Sequence, residues 1–245
     1  MKQRVLLVDL DPQGNATMGS GIDKYNLENS VYDVLVHKVP VNQATQTTPE
    51  SGYDVLPANG DLTAAEVELL EIENRERRLR VALAGAAGHY DYVLIDCPPS
   101  LNMLTVNALV AADGVIIAMQ CEYFALEGLA ALSRTIESVA ETANSELQIE
   151  GILRTMYDPR NSLTTDVSAQ LRAHFGDKVY RTVVPRNVRL AEAPSHGVPA
   201  MYYDKNSRGS KAYMALAGEI IRRAEKQAAQ MPEISPVATR GEGER

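Results

Sequence analysis

Near the N-terminus of the chain stands Val5-Leu6-Leu7-Val8-Asp9-Leu10-Asp11-Pro12-Gln13-Gly14-Asn15. Its continuous apolar run is typical of a strand in a parallel sheet that is covered on both faces. Ligands of open α/β sheets bind at the carboxyl ends of the strands. Asp9 and Asp11 stand at such an end, where one carboxylate can face a metal or phosphate while the other serves a neighbouring role. The alternative interpretation is a polar exit from the strand into a turn made by Pro-Gln-Gly.

Apolar runs alternate with helical patterns along the rest of the chain. Further strands are predicted at Val55-Leu56, Tyr92–Asp96, Val115–Met119, Ile149–Met156 and Val179–Val184. Helices are predicted at Leu62–Ala84, Met103–Ala112, Leu126–Ala143, Thr164–Phe175 and Lys211–Ala229. This alternation predicts an α/β fold with a mostly parallel sheet covered by helices on both faces. We expect one domain over residues 1–229 and a Pro- and Gly-containing flexible tail over residues 230–245.

Composition narrows the class of protein. The chain has 245 residues, of which 45% are hydrophobic and 23% charged, which is ordinary for a soluble globular protein and excludes a mostly disordered one. No apolar run approaches the roughly 18 residues of a membrane-spanning helix, and the first apolar run is broken at Asp9, unlike a signal peptide. A cytoplasmic protein without a membrane partner is therefore predicted.

Charge and cysteine content exclude further classes. The net charge of −8 argues against a globally basic nucleic-acid binder but leaves room for a local basic patch. The two cysteines, Cys97 and Cys121, are too few for a disulfide framework or a cluster site, and we expect both to be reduced and mostly buried. The four histidines lack the spacing of metal ligands.

A second acidic strand end stands at Asp96-Cys97-Pro98-Pro99-Ser100, after the apolar part of Tyr92–Asp96. Apolar residues followed by Asp have the form of a Walker B motif, whose acid holds Mg²⁺ beside the phosphates of a nucleotide. Many α/β strands end in Asp, so this motif alone is weak. Two acidic strand ends in one sheet favour a site for a metal–nucleotide complex over two unrelated polar exits.

Four motifs together resemble one known family. These are VLLVDLDPQGNAT, DYVLIDCPPS, QCEYFALEGL and VVPRNVRLAEAPSHGVP. They are similar to motifs of the ParA/Soj partitioning ATPases of chromosomes and plasmids, and the similarity extends from Arg4 to about Ala224. The resemblance implies a P-loop NTPase-like fold of the deviant Walker type, binding of ATP and Mg²⁺, and an ATP-dependent homodimer. It also implies nonspecific DNA binding on the nucleoid and stimulation by a ParB-type partner.

The resemblance assigns roles to individual acidic residues. Asp11 matches the acid that places the attacking water, and Asp9 matches the neighbouring acid of the same motif. Asp96 matches the Walker B acid near Mg²⁺.

The resemblance also assigns roles to residues in the second half of the chain. Pro185-Arg186-Asn187 matches the loop that lies against adenine. Arg160 and Arg189 match positions of the DNA-binding surface, in loops that we expect after the strands Ile149–Met156 and Val179–Val184. Phosphate contact independent of base sequence needs only a few such cations on one face, doubled in a dimer.

The sequence departs from the family at its phosphate loop. The family's first strand, its KGGVGKT-type loop and the following helix would precede Val5, and no lysine directly follows a glycine anywhere in residues 1–245. Such a loop supplies the N–H groups and lysines that hold the phosphates. We therefore expect residues 1–245 alone not to hydrolyse ATP. We also expect two strands to be left with unpaired edges, and we favour a misassigned gene start over a loop-less enzyme.

Three other functions can be compared with the sequence, which argues against the second and the third. One is a non-catalytic, degenerate paralogue that retains the partner or DNA interface, and the DNA upstream of the gene would distinguish it. A MinD-like membrane-positioning ATPase would need an amphipathic C-terminal helix, whereas residues 231–245 are weakly apolar. A nitrogenase-iron-protein-like reductase would need cluster cysteines at other positions than Cys97 and Cys121.

Overall fold

The computed structural model describes residues 3–230, so the predicted tail lies outside it from residue 231 onward. Seven strands form two sheets: one has the order β2-β3-β1-β4 and the other the order β5-β6-β7. The strands are β1 Val5–Asp9, β2 Gln46–Thr47, β3 Asp54–Leu56, β4 Tyr92–Asp96, β5 Gly114–Gln120, β6 Gln148–Tyr157 and β7 Val179–Pro185. All neighbours pair in parallel except β2 and β3, as the mostly apolar strand patterns predict.

Eleven α-helices connect the strands or cover the sheets within the described residues. They are α1 Asn15–Gly19, α2 Val31–Val36, α3 Val41–Ala44, α4 Leu62–Glu68, α5 Arg78–Ala84, α6 Met103–Ala111, α7 Ala125–Thr142, α8 Ser162–Phe175, α9 Val188–Glu192, α10 Ala200–Tyr203 and α11 Arg208–Gln230. The predicted mostly parallel sheet structure flanked by helices is confirmed, although the sheet is divided in two.

The first sheet packs one face against helices α2, α4, α5 and α6. Alternate residues of β1, Leu6 and Val8, are fully buried in this core. They meet Leu56 of β3 and Leu104 of α6 there. A strand that is covered on this face needs apolar residues there, which is why β1 could be located from the sequence.

The second sheet is covered on both faces. Ile117 of β5 and Ile152 of β6 belong to a core shared with α7 and α8. On the opposite face, Leu153 of β6 and Tyr180 of β7 pack with Leu216 of α11. This three-layer arrangement holds the carboxyl ends of β6 and β7 in place.

Strands β4 and β5 form the two edges at which the sheets are separate. In the described part of the chain, β4 pairs only with β1 and β5 pairs only with β6. Leu94 in the middle of β4 is 48% exposed and Ile116 in β5 is 36% exposed. Two unpaired strand edges were expected from the sequence, and the structure places them at β4 and β5.

The single helix predicted over Leu62–Ala84 is wrong. The chain forms α4, a 3₁₀ turn at Leu69–Glu71, a second 3₁₀ turn at Arg75–Arg77, and then α5. Asn74 between the turns has φ 53°, a left-handed backbone conformation that ends an α-helix. The Glu-early and Arg-late charge order that suggested one helix is therefore divided between two short helices.

The two cysteines are free, as predicted. Cys121 is buried and Cys97 is intermediate in exposure. No helix among residues 3–230 is both long enough and apolar enough to cross a membrane.

Candidate functional site

Two strands of the first sheet bring three carboxylates together at their carboxyl ends. Asp9 and Asp96 are the terminal residues of the neighbouring strands β1 and β4, and they stand opposite each other in register. The Leu10 N–H continues the ladder by donating to the Asp96 carbonyl oxygen over 2.8 Å. Asp11 follows directly, so the two acidic motifs of the sequence meet in one place.

The Asp9 carboxylate is fully buried and its oxygens are occupied by hydrogen bonds. Oδ2 accepts from the Thr17 backbone N–H at 2.8 Å and from the Thr17 hydroxyl at 2.7 Å. Oδ1 accepts from the Asp11 N–H at 3.2 Å. Burial raises the pKa of Asp9, although the bonds from Thr17 and Asp11 counteract the rise. Asp9 therefore holds the segment that follows it and has few lone pairs left for a ligand.

Asp11 lies in a turn and is less enclosed. Its Oδ1 accepts from the Gln13 N–H at 2.9 Å, which shapes the turn. Gly14 then begins α1 with φ 60°, and a Cβ there would lie 2.7 Å from the Ala58 carbonyl oxygen. Only glycine combines this backbone conformation with so close an approach. The Asp11 turn thus packs directly against the loop that follows β3.

Asp96 is exposed at the edge of the sheet, but its carboxylate faces the other acids. Desolvation by surrounding atoms, together with repulsion from Asp9 and Asp11, raises the pKa of Asp96 to about 6. A cation near these oxygens would relieve the repulsion. Among the described residues, no three His, Cys, Asp or Glu side chains could hold a metal by themselves. The arrangement suits a hydrated cation that takes other ligands from water or a phosphate.

Pro185-Arg186-Asn187 lies at the carboxyl end of β7, in the second sheet. The Asn187 Oδ1 is buried and has no hydrogen-bond partner. A buried amide oxygen without a donor carries an unrecovered desolvation cost, which a ligand N–H would remove. Beyond α9, the turn Ala193–His196 returns to α1. A Cβ added at Gly19 of α1 would lie 3.8 Å from the Pro194 Cβ. This segment therefore connects the β7 end to the helix that follows Asp11.

Both arginines assigned to the DNA-binding surface lie away from the three carboxylates at the ends of β1 and β4. Each of them forms an ion pair. Arg160 lies in the turn after β6, and its Nη2 is 2.7 Å from Asp158 Oδ2. Arg189 was expected in a loop, but it lies in the short helix α9. Its Nη1 is 2.7 Å from Glu192 Oε2, and its Nε is 3.6 Å from Asp204 Oδ2.

Sequence reasoning missed three contributors to the site. These are Thr17, Gly14 and Ala58, whose residue types indicate no catalytic or binding role. Their contacts nevertheless fix the positions of Asp9 and of the Asp11 turn. The only signal in the sequence was that Gly14 and Thr17 belong to the motif VLLVDLDPQGNAT. Ala58 carried no signal, because it joins the site through a backbone N–H from 41 residues away.

The chain is similar to known proteins over most of its length. Residues 1–149 match the family model described as AAA domain. The chain is 54% identical over 223 residues to the chromosome partitioning protein ParA of Caulobacter vibrioides, covering 90% of this chain and 84% of that protein. It is 51% identical over 218 residues to the sporulation initiation inhibitor protein Soj of Bacillus subtilis, covering 89% and 86%.

A solved structure has the same fold. It is described as cobyrinic acid a,c-diamide synthase from Mycobacterium smegmatis with a bound ATP analogue and magnesium, and it superposes with a TM-score of 0.79. It is 38% identical to this chain, and the match covers 95% of this chain and 87% of that one. The predicted P-loop NTPase-like fold is thereby confirmed.

Proposed function

Because the chain belongs to the ParA/Soj family of chromosome-partitioning proteins, we propose that it acts as an ATPase in partitioning and binds DNA nonspecifically as an ATP-dependent dimer. A ParB-type protein is the partner that stimulates it on the nucleoid. The observation that carries the proposal is the meeting of Asp9, Asp11 and Asp96 at the ends of β1 and β4. The partitioning relatives are more similar to this chain than the M. smegmatis protein, at 54% and 51% against 38% identity.

The carboxylates at the ends of β1 and β4 suit ATP with Mg²⁺, because Mg²⁺ prefers oxygen ligands. A bound Mg²⁺ would neutralise phosphate charge, and Asp96 would hold it through water. Asp11, the less enclosed acid of the first motif, would orient the attacking water. The pKa of Asp96 near 6 supports this role, since a cation is what its surroundings favour beside an ionised carboxylate.

The adenine end of the nucleotide would lie at Pro185-Arg186-Asn187. The unpartnered Asn187 Oδ1 is an acceptor, and the exocyclic amino group of adenine is a donor. Asp11 follows β1 of the first sheet and Asn187 follows β7 of the second. If each sheet with its helices is taken as one half of the molecule, a nucleotide that contacts both residues would bridge the two halves. The return of Ala193–His196 to α1 supports a common site.

The test of the proposal uses two proteins. Residues 1–245 contain no KGGVGKT-type loop, so we expect no measurable hydrolysis of Mg²⁺-ATP by this chain alone, with or without DNA and the partner. The same chain preceded by a family strand, loop and helix should hydrolyse ATP, and Asp11→Ala should abolish that activity. Turnover by residues 1–245 that depends on Asp11 would contradict the proposal, because the phosphates would then be held by other residues.

Dimerisation is the second readout. The loop-bearing protein should sediment as a dimer with ATP and as a monomer with ADP. A protein that binds ATP but remains monomeric would argue against the partitioning function. Such a result would favour the degenerate paralogue that binds its partner or DNA without cycling.

A further inference from the structure

The Thr17 hydroxyl joins two parts of the chain that are far apart in sequence. Its Oγ1 donates to the Asp9 Oδ2 at 2.7 Å and accepts from the Ala58 N–H at 2.9 Å. Thr17, Asp9 and Ala58 are each fully buried. A hydroxyl that donates once and accepts once in the interior has a fixed orientation, so it fixes both partners.

The position of Asp11 depends on the same hydrogen bonds. The Asp11 N–H donates to Asp9 Oδ1, the oxygen that Thr17 leaves free. On the other side of the turn, Gly14 packs against the Ala58 carbonyl oxygen. The backbone of Asp11–Gly14 is therefore held at one end by the Asp9 carboxylate and at the other by the loop after β3. Thr17 is the side chain that connects these two anchors.

We propose that Thr17 is a positioning residue, whose hydroxyl sets the distance and orientation of Asp11 relative to Asp96 by locking Asp9 to Ala58. This inference rests on the proposed function, because the placement matters for a hydrated cation between the two acids. The Thr17 hydroxyl is already engaged by Asp9 and Ala58, so its effect on the cation would pass through the placement of Asp11. Groups that orient metal-site carboxylates typically change metal affinity by about 10- to 100-fold when they are removed.

Two substitutions separate the hydroxyl from the shape of the side chain. Thr17→Val keeps the volume and removes both hydrogen bonds of the hydroxyl, and Asp9 keeps the bond from the Thr17 N–H. Thr17→Ser keeps the hydroxyl and loses one methyl group. The matched control is Thr164→Val, at another buried threonine, in α8 of the second half.

The experiment is NMR spectroscopy of the 245-residue chain with Mn²⁺ as a paramagnetic probe. We measure the broadening of the Asp11, Asp96 and Cys97 amide signals against Mn²⁺ concentration, and the hydrogen exchange of the Ala58 and Asp11 amides. Thr17→Val should weaken Mn²⁺ binding about tenfold and speed exchange at both amides. Thr17→Ser and Thr164→Val should stay within twofold of the wild type in both measurements.

The outcomes separate the two proposals. Wild-type Mn²⁺ affinity in a folded Thr17→Val protein would overturn the positioning role. Weakened binding that Thr17→Ser does not restore would also overturn it, because the effect would then come from packing. If Mn²⁺ does not broaden these signals in the wild type, the proposed metal function fails. The positioning role is then decided by whether exchange at Asp11 rises in Thr17→Val and recovers in Thr17→Ser.

Discussion

The carboxylate of Asp96 is held in an unfavourable environment, and this has a cost in stability. It faces Asp9 and Asp11 at the end of two paired strands, and its pKa is raised to about 6. The folded protein therefore binds a proton at Asp96 more tightly than the unfolded chain does. The wild type loses stability as the pH rises from about 4 to about 6, the window between the unfolded and folded pKa values.

We predict that Asp96→Asn stabilises the folded protein at pH 7.5 in the absence of divalent cations. The full shift would correspond to about 3 kcal/mol, but the side chain is exposed and screened by water, so we expect about 1 kcal/mol. The gain should vanish below about pH 4, where Asp96 is protonated in both states. Urea denaturation with EDTA at several pH values measures it, and Asp113→Asn, at an exposed carboxylate directly before β5 of the second sheet, controls for net charge. A pH-independent gain would show that electrostatic repulsion is not the cause.

At the scale of elements, helix α11 closes the outer edge of the second sheet with one side chain. Glu219 is buried and accepts from the backbone N–H groups of Arg181 and Thr182 in β7 at 2.8 and 2.9 Å. Arg223 on the same helix pairs with Glu219 at 3.1 Å and lies 4.1 Å from the centre of the Tyr180 ring. Burial alone would raise the pKa of Glu219, but these bonds outweigh it and the pKa is lowered.

We predict that Glu219→Ala lowers the free energy of unfolding by about 3 kcal/mol, because it leaves two partly buried strand N–H groups without their acceptor and removes the carboxylate that pairs with Arg223. The exposed Glu225→Ala in the same helix should change stability by less than about 0.5 kcal/mol. Urea denaturation at pH 7 measures both. The pKa of Glu219 is lower in the folded protein than in the unfolded chain, so its stabilising effect is full above the unfolded pKa. The deficit of Glu219→Ala should therefore shrink as the pH falls below the unfolded pKa and through the lower folded one. Equal stability of the two variants would contradict the edge-closing role.

Elements with a strong local pattern were predicted well, and contacts between distant residues were not. Strands β1 and β4 end where the sequence predicts, because in each of them an apolar run stops at an aspartate. The helix over residues 62–84 failed because helical composition does not reveal a left-handed Asn74. The role of Thr17 could not be predicted, because it depends on Asp9 and Ala58 meeting in space. The family resemblance supplied the roles of Asp11, Asp96 and Asn187, which the pattern of acids alone left ambiguous.

For the molecule as a whole, the proposed DNA binding requires a few local cations, because the protein is acidic. The net charge is −8, and Arg160 and Arg189 are each paired with a carboxylate. Exposed ion pairs of this kind are weak, so a phosphate can displace the carboxylate. Two phosphate contacts per subunit, doubled in a dimer, release roughly four counterions.

We predict a slope of about −3 to −4 for log affinity against log salt, measured by DNA titration of the loop-bearing protein with ATP. Arg160→Ala and Arg189→Ala should each weaken binding to all sequences alike and flatten the slope. Arg134→Ala on the exposed side of α7 is the control and should leave both unchanged. If both arginine variants keep the wild-type affinity and slope, the basic patch lies elsewhere. A changed sequence preference would mean that an arginine contacts bases.

The division between β4 and β5 has a consequence for how the molecule unfolds. Each half has its own apolar core, and the halves are joined by α6 and by the contact of Ala193–His196 with α1. In α6, the Asn107 side chain accepts a hydrogen bond from the Leu79 N–H of the first half. The Leu109 carbonyl oxygen of the same helix accepts one from the Asn144 side chain of the second half. Because each half has a core of its own, we expect the halves to unfold as two cooperative units. The calorimetric enthalpy of unfolding should therefore exceed the van't Hoff enthalpy, and a nucleotide that contacts both Asp11 and Asn187 would merge the two transitions into one.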